Sequence, residues 1–153
     1  MKKVQGKLDA SWMRVGLVVS RFNDLYTRSN LDGAIECLKM HGAKEENLTV
    51  VWVPGSFEVP QALSALADKG EVDALIGLGV VIEGATDHAS LITQNVAAQC
   101  AALSLAKKIP VVDGVIGAKT PEQAAERSGG KQGNRGWACA LVAIEMANLL
   151  KGL

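Results

Sequence analysis

The stretch ALIGLGVVIEGATDH, residues 74–88, decides the fold of this chain. Its first part, Ala74–Gly79, is an apolar strand candidate without polar alternation, which is typical of a strand covered on both faces. A glycine-containing loop follows, and the longest helical stretch of the chain then runs from Thr86 to Lys107. A buried strand that leads through a short loop into a long helix is the repeating unit of a parallel sheet with right-handed crossovers.

The rest of the chain repeats this alternation. Gly and Pro residues separate β-branched apolar runs from segments with helical spacing. The further strand candidates are Val4–Leu8, Val15–Ser20, Leu48–Val53 and Val111–Ile116. The further helix candidates are Tyr26–His41, Glu58–Lys69, a short helix that starts at Pro121 behind the capping residue Thr120, and Arg135–Leu150. We therefore expect one domain over residues 1–153, with an α/β fold arranged as a three-layer α/β/α sandwich on a mainly parallel, flavodoxin-like sheet.

Composition excludes several classes of protein. Sixteen Lys and Arg residues balance sixteen Asp and Glu residues, and this zero formal net charge argues against nucleic acid as a partner. The longest apolar stretch, Ala74–Ile82, is too short to cross a membrane, and Lys2 and Lys3 are not followed by an apolar signal region. We therefore expect a cytoplasmic protein that does not interact with membranes. The hydrophobic share of 48% favours either an oligomer interface or an Ala-rich core, and composition does not decide between them.

Several chemical motifs are absent. Gly77 and Gly79 begin a GxG, but the third glycine of a dinucleotide-binding fingerprint would fall on Ile82. Gly79 to Gly84 has the spacing of a phosphate loop without the lysine that should follow. Three separated cysteines without a CxxC pair predict neither disulfides nor a zinc site. These absences argue against a dinucleotide-binding site, a nucleotide-hydrolysing site and a zinc site.

Four segments follow predicted strands, where ligands bind in parallel α/β sheets. Gly84–Thr86 can hold an anion at the start of a helix, although Thr86 or Asp87 can equally cap that helix. His88 beside it can move a proton near neutral pH, or it is simply a polar surface residue. Phe22 can stack on a flat ring or pack in the core, and Glu58 can bind ligand hydroxyls or complement a helix dipole.

Positive charge collects around a second glycine-rich segment. Arg127, Lys131 and Arg135 surround Gly129, Gly130 and Gly133. Arginine side chains there can grip a phosphate with two hydrogen bonds. The alternative is a solvated turn between two helices.

Four ordered blocks of sequence resemble the lumazine synthase family of riboflavin biosynthesis. The blocks are RFN at residues 21–23, VPGSFEVP at 53–60, GATDH at 84–88, and ERSGGKQGNRG at 126–136 followed by AIEMANL at 143–149. The resemblance implies condensation of 5-amino-6-ribitylaminouracil with 3,4-dihydroxy-2-butanone 4-phosphate. The products would be 6,7-dimethyl-8-ribityllumazine, phosphate and water, so the partners would be a pyrimidine and a sugar phosphate. The resemblance also implies that the reaction uses no metal and no organic cofactor.

The resemblance also implies residue roles. Phe22 would stack on the pyrimidine, and His88 would transfer protons. Arg127, with Ala85 and Thr86, would bind the butanone phosphate. The remaining predicted contacts to substrate are Ser56, Phe57 and Glu58 for the uracil and ribityl chain, the backbone of Val80, Val81 and Ile82 for the uracil, and Asp113 and Arg135.

In this family the pocket is completed by the neighbouring subunit of a pentamer. Arg127 and Asp113 would then lie opposite the partner's Phe22 and the partner's Ser56. The length of the link at residues 128–136 matches that of members that build icosahedral shells, so we expect a pentamer that assembles into a shell.

Four positions depart from the family's common residues, namely Glu83, Ala89, Asp113 and Ala138. Asp113 would replace an apolar or aromatic wall with a charge, and its desolvation costs free energy. These departures leave two alternatives open: a weakly active or inactive member that acts as a self-assembling shell or scaffold, and a lumazine- or flavin-binding protein.

Overall fold

A four-stranded parallel sheet forms the centre of the protein, which a computed structural model describes over residues 1–153. The strands are β1 Val15–Ser20, β2 Leu48–Val53, β3 Ala74–Ile82 and β4 Val111–Ala118, and their order in the sheet is β2-β1-β3-β4. The helices are α1 Asp24–Met40, α2 Val59–Asp68, α3 His88–Lys107, α4 Pro121–Arg127 and α5 Arg135–Lys151. A small antiparallel hairpin, β5 Ser128–Gly130 and β6 Gly133–Asn134, joins α4 to α5.

Helices cover both faces of the sheet. Residues of α1 and α5 pack with β1 and β3 in one hydrophobic cluster, and residues of α2 and α3 pack on the other face in a second cluster. All six residues of β1 are buried, and so are the first seven residues of β3. These strands lack an alternation of apolar and polar residues because helices cover both of their faces, as predicted, and the three-layer α/β/α sandwich is confirmed.

The strand that was predicted at Val4–Leu8 is wrong. No regular secondary structure forms before β1, and this segment instead lies along α5. Gly6 approaches the backbone carbonyl of Glu145, and Asn148 Nδ2 donates to the Asp9 carbonyl oxygen at 2.8 Å. An extended segment becomes a strand only beside another strand, and no strand of this chain lies next to residues 4–8. Val4 is also the only β-branched residue of this segment.

Two element boundaries matter for the site. Strand β3 extends to Ile82 rather than Gly79, because β4 continues beside it as far as the pair Ile82 and Ala118. Helix α3 begins at His88 rather than Thr86, so Glu83–Asp87 is an exposed loop between strand and helix.

Polar side chains fix the starts of the last two helices. Thr120 Oγ1 accepts from Gln123 N at 3.2 Å, which confirms the predicted cap of α4. Asn134 Oδ1 accepts from Trp137 N at 3.0 Å and caps α5. No helix of the structure is both long enough and apolar enough to cross a bilayer.

Candidate active site

A cavity of about 460 Å³ opens at the carboxyl ends of β1 and β3, and we call it the strand-end cavity. Nine of the predicted site residues line it together: Phe22, Ser56, Phe57, Glu58, Val80, Val81, Ile82, Thr86 and His88. Gly55, Gly84, Ala89 and Ile92 complete its lining. These residues come from three connecting segments, from β3 and from the start of α3, so the fold brings together segments that are distant in sequence.

Phe22 is held by the backbone that follows β1. Its amide donates to the Pro54 carbonyl oxygen at 3.1 Å, while Arg21 N donates to the Val53 carbonyl oxygen at 2.8 Å. With its backbone fixed in this way, the Phe22 side chain remains 71% exposed. The core-packing alternative for Phe22 is therefore wrong, and the ring is free to stack on a planar ligand.

Asn23 ties this loop to the neighbouring strand. It caps α1 in a left-handed conformation with φ of 61°, which Asn adopts more readily than most residues. Its Nδ2 donates to the Val80 carbonyl oxygen at 2.8 Å. Sequence reasoning singled out RFN but assigned no role to this asparagine.

A single 3₁₀ turn at Ser56–Glu58 supplies the second wall. Ser56 is 6% exposed, whereas Phe57 is 60% exposed. Gly79 makes the inward position of Ser56 possible, because a Cβ at residue 79 would overlap the Ser56 hydroxyl. Glu58 is half-buried and directly precedes α2. It lines the cavity in addition to lying at a helix start.

The start of α3 supplies the third wall. His88 is exposed and is the first residue of the helix. Its amide makes only a long bond, 3.5 Å, to Thr86 Oγ1, and the Asp87 side chain does not cap the helix. Thr86 therefore caps the helix weakly, which was one of the two roles expected for it. Because this bond is long, the amides of the first turn can still bind an anion. Ala85 lies in the same exposed loop but does not line the cavity.

The predicted phosphate-binding arginines line a different cavity, of about 470 Å³, which we call the arginine cavity. Its lining residues are Val115, Ile116, Gly117, Gln123, Glu126, Arg127, Gln132 and Arg135. Both arginines are exposed, and they flank the β5–β6 hairpin. The segment between α4 and α5 is thus a hydrogen-bonded hairpin rather than a simple turn, and the arginines on either side of it line one cavity.

Asp113 lies beside the arginine cavity rather than in its lining. Its carbonyl oxygen accepts from Arg135 Nη2 at 2.8 Å, and its carboxylate accepts from Val115 N at 2.9 Å. Burial raises the pKa of the Asp113 carboxyl, and the hydrogen bond from Val115 and the charge of Arg135 oppose that rise. The raised pKa therefore reflects the desolvation cost of a charge at this position, which the sequence analysis expected.

The predicted site thus falls into two halves within one chain, and the two cavities share no lining residue. Three of the departures lie in or near these halves: Ala89 lines the strand-end cavity, Glu83 follows its Ile82, and Asp113 adjoins the arginine cavity. Ala138 lies exposed on α5. No cluster of three or more His, Cys, Asp or Glu side chains that could hold a metal ion is present.

Comparison with known proteins agrees with the motif blocks. A model of the 6,7-dimethyl-8-ribityllumazine synthase family matches residues 12–151. A curated relative from Aquifex aeolicus (strain VF5), a 6,7-dimethyl-8-ribityllumazine synthase, is 50% identical over 153 residues, which cover 100% of this chain and 99% of the relative. The chain belongs to the 6,7-dimethyl-8-ribityllumazine synthase family.

Proposed function

We propose that the protein condenses 5-amino-6-ribitylaminouracil with 3,4-dihydroxy-2-butanone 4-phosphate to form 6,7-dimethyl-8-ribityllumazine, phosphate and water. The observation that carries the proposal is the strand-end cavity. It places an exposed aromatic ring, a buried hydroxyl, a carboxylate and an imidazole around one space, at Phe22, Ser56, Glu58 and His88. This set can bind a flat pyrimidine with a polyhydroxyl chain and move protons at its amine.

The edge of β3 supplies hydrogen-bonding groups for the pyrimidine. Strand β1 pairs with β3 only as far as Leu78, whereas β4 pairs with it as far as Ile82. The backbone of residues 79–82 on the β1 side therefore has no strand partner, and Asn23 takes up one carbonyl there, that of Val80. The remaining polar groups of this edge can bind the edge of the uracil ring, with Phe22 stacked on its face.

The chemistry needs positioning and proton transfer more than a strong nucleophile. The 5-amino group attacks the ketone carbon and a first water leaves to give an imine, and phosphate is then eliminated. The ribitylamino nitrogen closes the ring on the carbonyl that this elimination produces, with loss of a second water. His88 can accept the proton that the amine loses and return protons to departing oxygens. Holding both substrates together converts an encounter in solution into a reaction within one site.

The butanone phosphate would be held by Arg127 and Arg135, with the α3 start and its Thr86 from the other half. Because these arginines line a separate cavity in their own chain, we propose that a second copy completes each site. The strand-end cavity of one subunit would then meet the arginine cavity of its neighbour. Such a contact joins two different surfaces, and its repetition forms a closed ring when the rotation between neighbours divides a full turn evenly.

The surface of α3 supports assembly. Only Ala89, Val96 and Cys100 of this 20-residue helix are buried. Its exposed residues include Leu91 and Leu105, which are 65% and 82% exposed, together with the small residues Ala97, Ala98, Ala101 and Ala102. A helix that is apolar on its outer side as well is suited to packing against other copies. We propose a pentamer, and on the family resemblance an icosahedral shell.

Activity is tested by mixing the two substrates and following lumazine fluorescence. His88→Ala should slow the reaction by roughly 100-fold, the lower range for a proton-transfer residue. The other histidine provides a matched control, because His41 lies at the end of α1 with its Nδ1 2.8 Å from the Cys37 carbonyl oxygen. His41→Ala should leave the rate unchanged. A wild-type rate equal to the spontaneous condensation would refute the proposed function.

The shared site has its own test. Coexpression of His88→Ala and Arg127→Ala chains places an intact His88 opposite an intact Arg127 in about a quarter of the sites of a mixed ring. Mixed assemblies should therefore regain about a quarter of wild-type activity, whereas each variant alone stays slow. If the mixture is as slow as the parents, the two halves do not come from different chains.

A further inference from the structure

The buried face of α1 carries an asparagine among apolar residues. Asn30 is 1% exposed, and its neighbours on this face, Leu31, Ala34 and Leu38, belong to the hydrophobic cluster between the helices and the sheet. A buried amide is costly unless its hydrogen bonds are made, so its partners indicate why it is there.

The Asn30 amide bridges both ends of the β5–β6 hairpin. Its Nδ2 donates to Ser128 Oγ at 2.9 Å, where the hairpin starts, and to the Tyr26 carbonyl oxygen at 3.0 Å. Its Oδ1 accepts from Gly136 N at 3.3 Å, just after the hairpin ends. One side chain therefore links two points that lie eight residues apart in sequence.

The residue before it strengthens the same attachment. Ser29 Oγ donates to the Ser128 carbonyl oxygen at 2.5 Å, and Asn134 Nδ2 donates to the Ser29 carbonyl oxygen at 2.8 Å. Contact is close, because a Cβ on Gly136 would overlap the Asn30 carbonyl oxygen and one on Gly33 would overlap the Asn134 side chain. The hairpin is thus seated on α1 by both its strands.

The two arginines of the arginine cavity are the residues that adjoin these anchors. Arg127 directly precedes Ser128, and Arg135 lies between Asn134 and Gly136. Both arginines are exposed, whereas the buried amide of Asn30 is hydrogen-bonded to the Ser128 hydroxyl beside Arg127 and to the Gly136 backbone N–H beside Arg135. We propose that Asn30 is a positioning residue that holds Arg127 and Arg135 in register for one phosphate group, and this inference rests on the proposed function.

The alternative is that Asn30 contributes only to stability. The two roles differ in what they change. A structural residue affects the unfolding temperature and both substrates equally, whereas a residue that orients the arginines affects binding of the phosphate substrate. Since Asn30 bonds nothing in the strand-end cavity, binding of the pyrimidine should not depend on it.

The first test is Asn30→Leu, which keeps a similar side-chain volume and removes the amide. The KM for the butanone phosphate should rise roughly fivefold to tenfold, the factor for one buried hydrogen bond, while the KM for the pyrimidine stays within about twofold. Asn148→Leu is the matched control. Asn148 is a half-buried asparagine that bonds Trp12 Nε1 and the carbonyl oxygens of Asp9 and Ile144, away from the arginine cavity. It should lower the unfolding temperature and leave both KM values unchanged.

A second variant covers a possible folding defect. Ser128→Ala should raise the same KM, and the Asn30→Leu/Ser128→Ala double variant should be little worse than Asn30→Leu, because both changes remove one shared hydrogen bond. Calorimetric titration with inorganic phosphate gives a readout that needs no turnover. If wild type does not condense the substrates, the proposed function fails, but weaker phosphate binding in the Asn30 variant still supports the positioning role. Unchanged phosphate binding and KM, with only a lower unfolding temperature, would overturn it.

Discussion

Two glycines on the same face of β3 allow the role of Ser56 to be separated from general packing. A Cβ at Gly79 would overlap the Ser56 hydroxyl and lie 3.2 Å from Ser20 Oγ, at the floor of the strand-end cavity. A Cβ at Gly77 would lie 2.7 Å from Val59 Cγ1 and 3.2 Å from Leu63 Cδ1, in the core beneath. Gly79→Ala and Gly77→Ala therefore add the same methyl group to the same strand, two residues apart.

The magnitudes follow from these contacts. Overpacking of a well-packed site lowers the free energy of unfolding by about 1–3 kcal/mol. Replacing Gly with Ala raises it by about 0.4–1 kcal/mol, because Ala restricts the unfolded chain. We expect both variants to lose about 0.5–2 kcal/mol of unfolding free energy, which corresponds to an unfolding temperature roughly 2–6 °C lower. Only Gly79→Ala displaces the Ser56 hydroxyl, so it alone should raise the KM for the pyrimidine, by roughly fivefold to tenfold.

The assay combines thermal unfolding with steady-state kinetics in which each substrate is varied separately. Adding Ser56→Ala to Gly79→Ala removes the atom that the new methyl group meets, so it should recover much of the lost stability without restoring the KM. If Gly79→Ala and Gly77→Ala lower stability alike and neither changes the KM for the pyrimidine, Ser56 does not bind that substrate. A KM rise in Gly77→Ala of equal size would mean that the strand as a whole, rather than Ser56, determines binding.

Three further predictions concern the carboxyl group, the thiols and a helix cap. Burial raises the pKa of Asp113, so the folded protein holds that proton more tightly than the unfolded chain, and stability falls as pH rises above the ordinary value of 3.8. Asp113→Asn should therefore raise the unfolding temperature at pH 7 and not at pH 3, and a variant that is less stable at pH 7 would contradict this. Burial raises the pKa of Cys37 and Cys139 to about 11 and of Cys100 to about 12, so a thiol reagent at pH 8 should label the native protein far more slowly than the unfolded chain. Thr120→Ala should lose about 1 kcal/mol, measured by denaturant unfolding, because it removes the side-chain cap of α4.

The order of β1–β4 and of the five helices could be predicted because each of these elements carries its own local pattern, whereas the β5–β6 hairpin was not predicted. Strands β1 and β2 begin and end where the apolar runs do, and Thr120 marks the start of α4. Val4–Leu8 contains a single β-branched residue, Val4, and strand formation also depends on a neighbouring strand, which no local pattern reveals. Likewise, β3 extends to Ile82 because β4 lies beside it, and this pairing is a long-range property.

Local sequence patterns selected several residues that share one cavity, whereas only the family resemblance implied that the site is divided between two subunits. Strand ends and helix starts pointed to Phe22, Ser56, His88 and Arg127, and the first three of these line one cavity. The separation of Arg127 into another cavity depends on how α4 and the hairpin fold back on the sheet. Asn30 carried a signal, since it is a polar residue beside the apolar residues Leu31 and Ala34 of α1, but its partner Ser128 lies 98 residues away and only the fold identifies it.

The net charge of the whole chain is zero, but the charge near each of the two cavities differs from this total. The arginine cavity contains two arginines and Glu126, whereas the strand-end cavity contains Glu58 and adjoins the exposed Glu83. Charges separated by more than about 10 Å are largely screened at physiological salt, so a bound phosphate responds to the local set rather than to the total. A neutral protein can therefore offer a phosphate site while giving a nucleic acid no extended positive surface. In the proposed site, the register of Arg127 with Arg135 matters more than the number of basic residues, because two guanidinium groups can bind one phosphate only when the hairpin holds both at the same cavity.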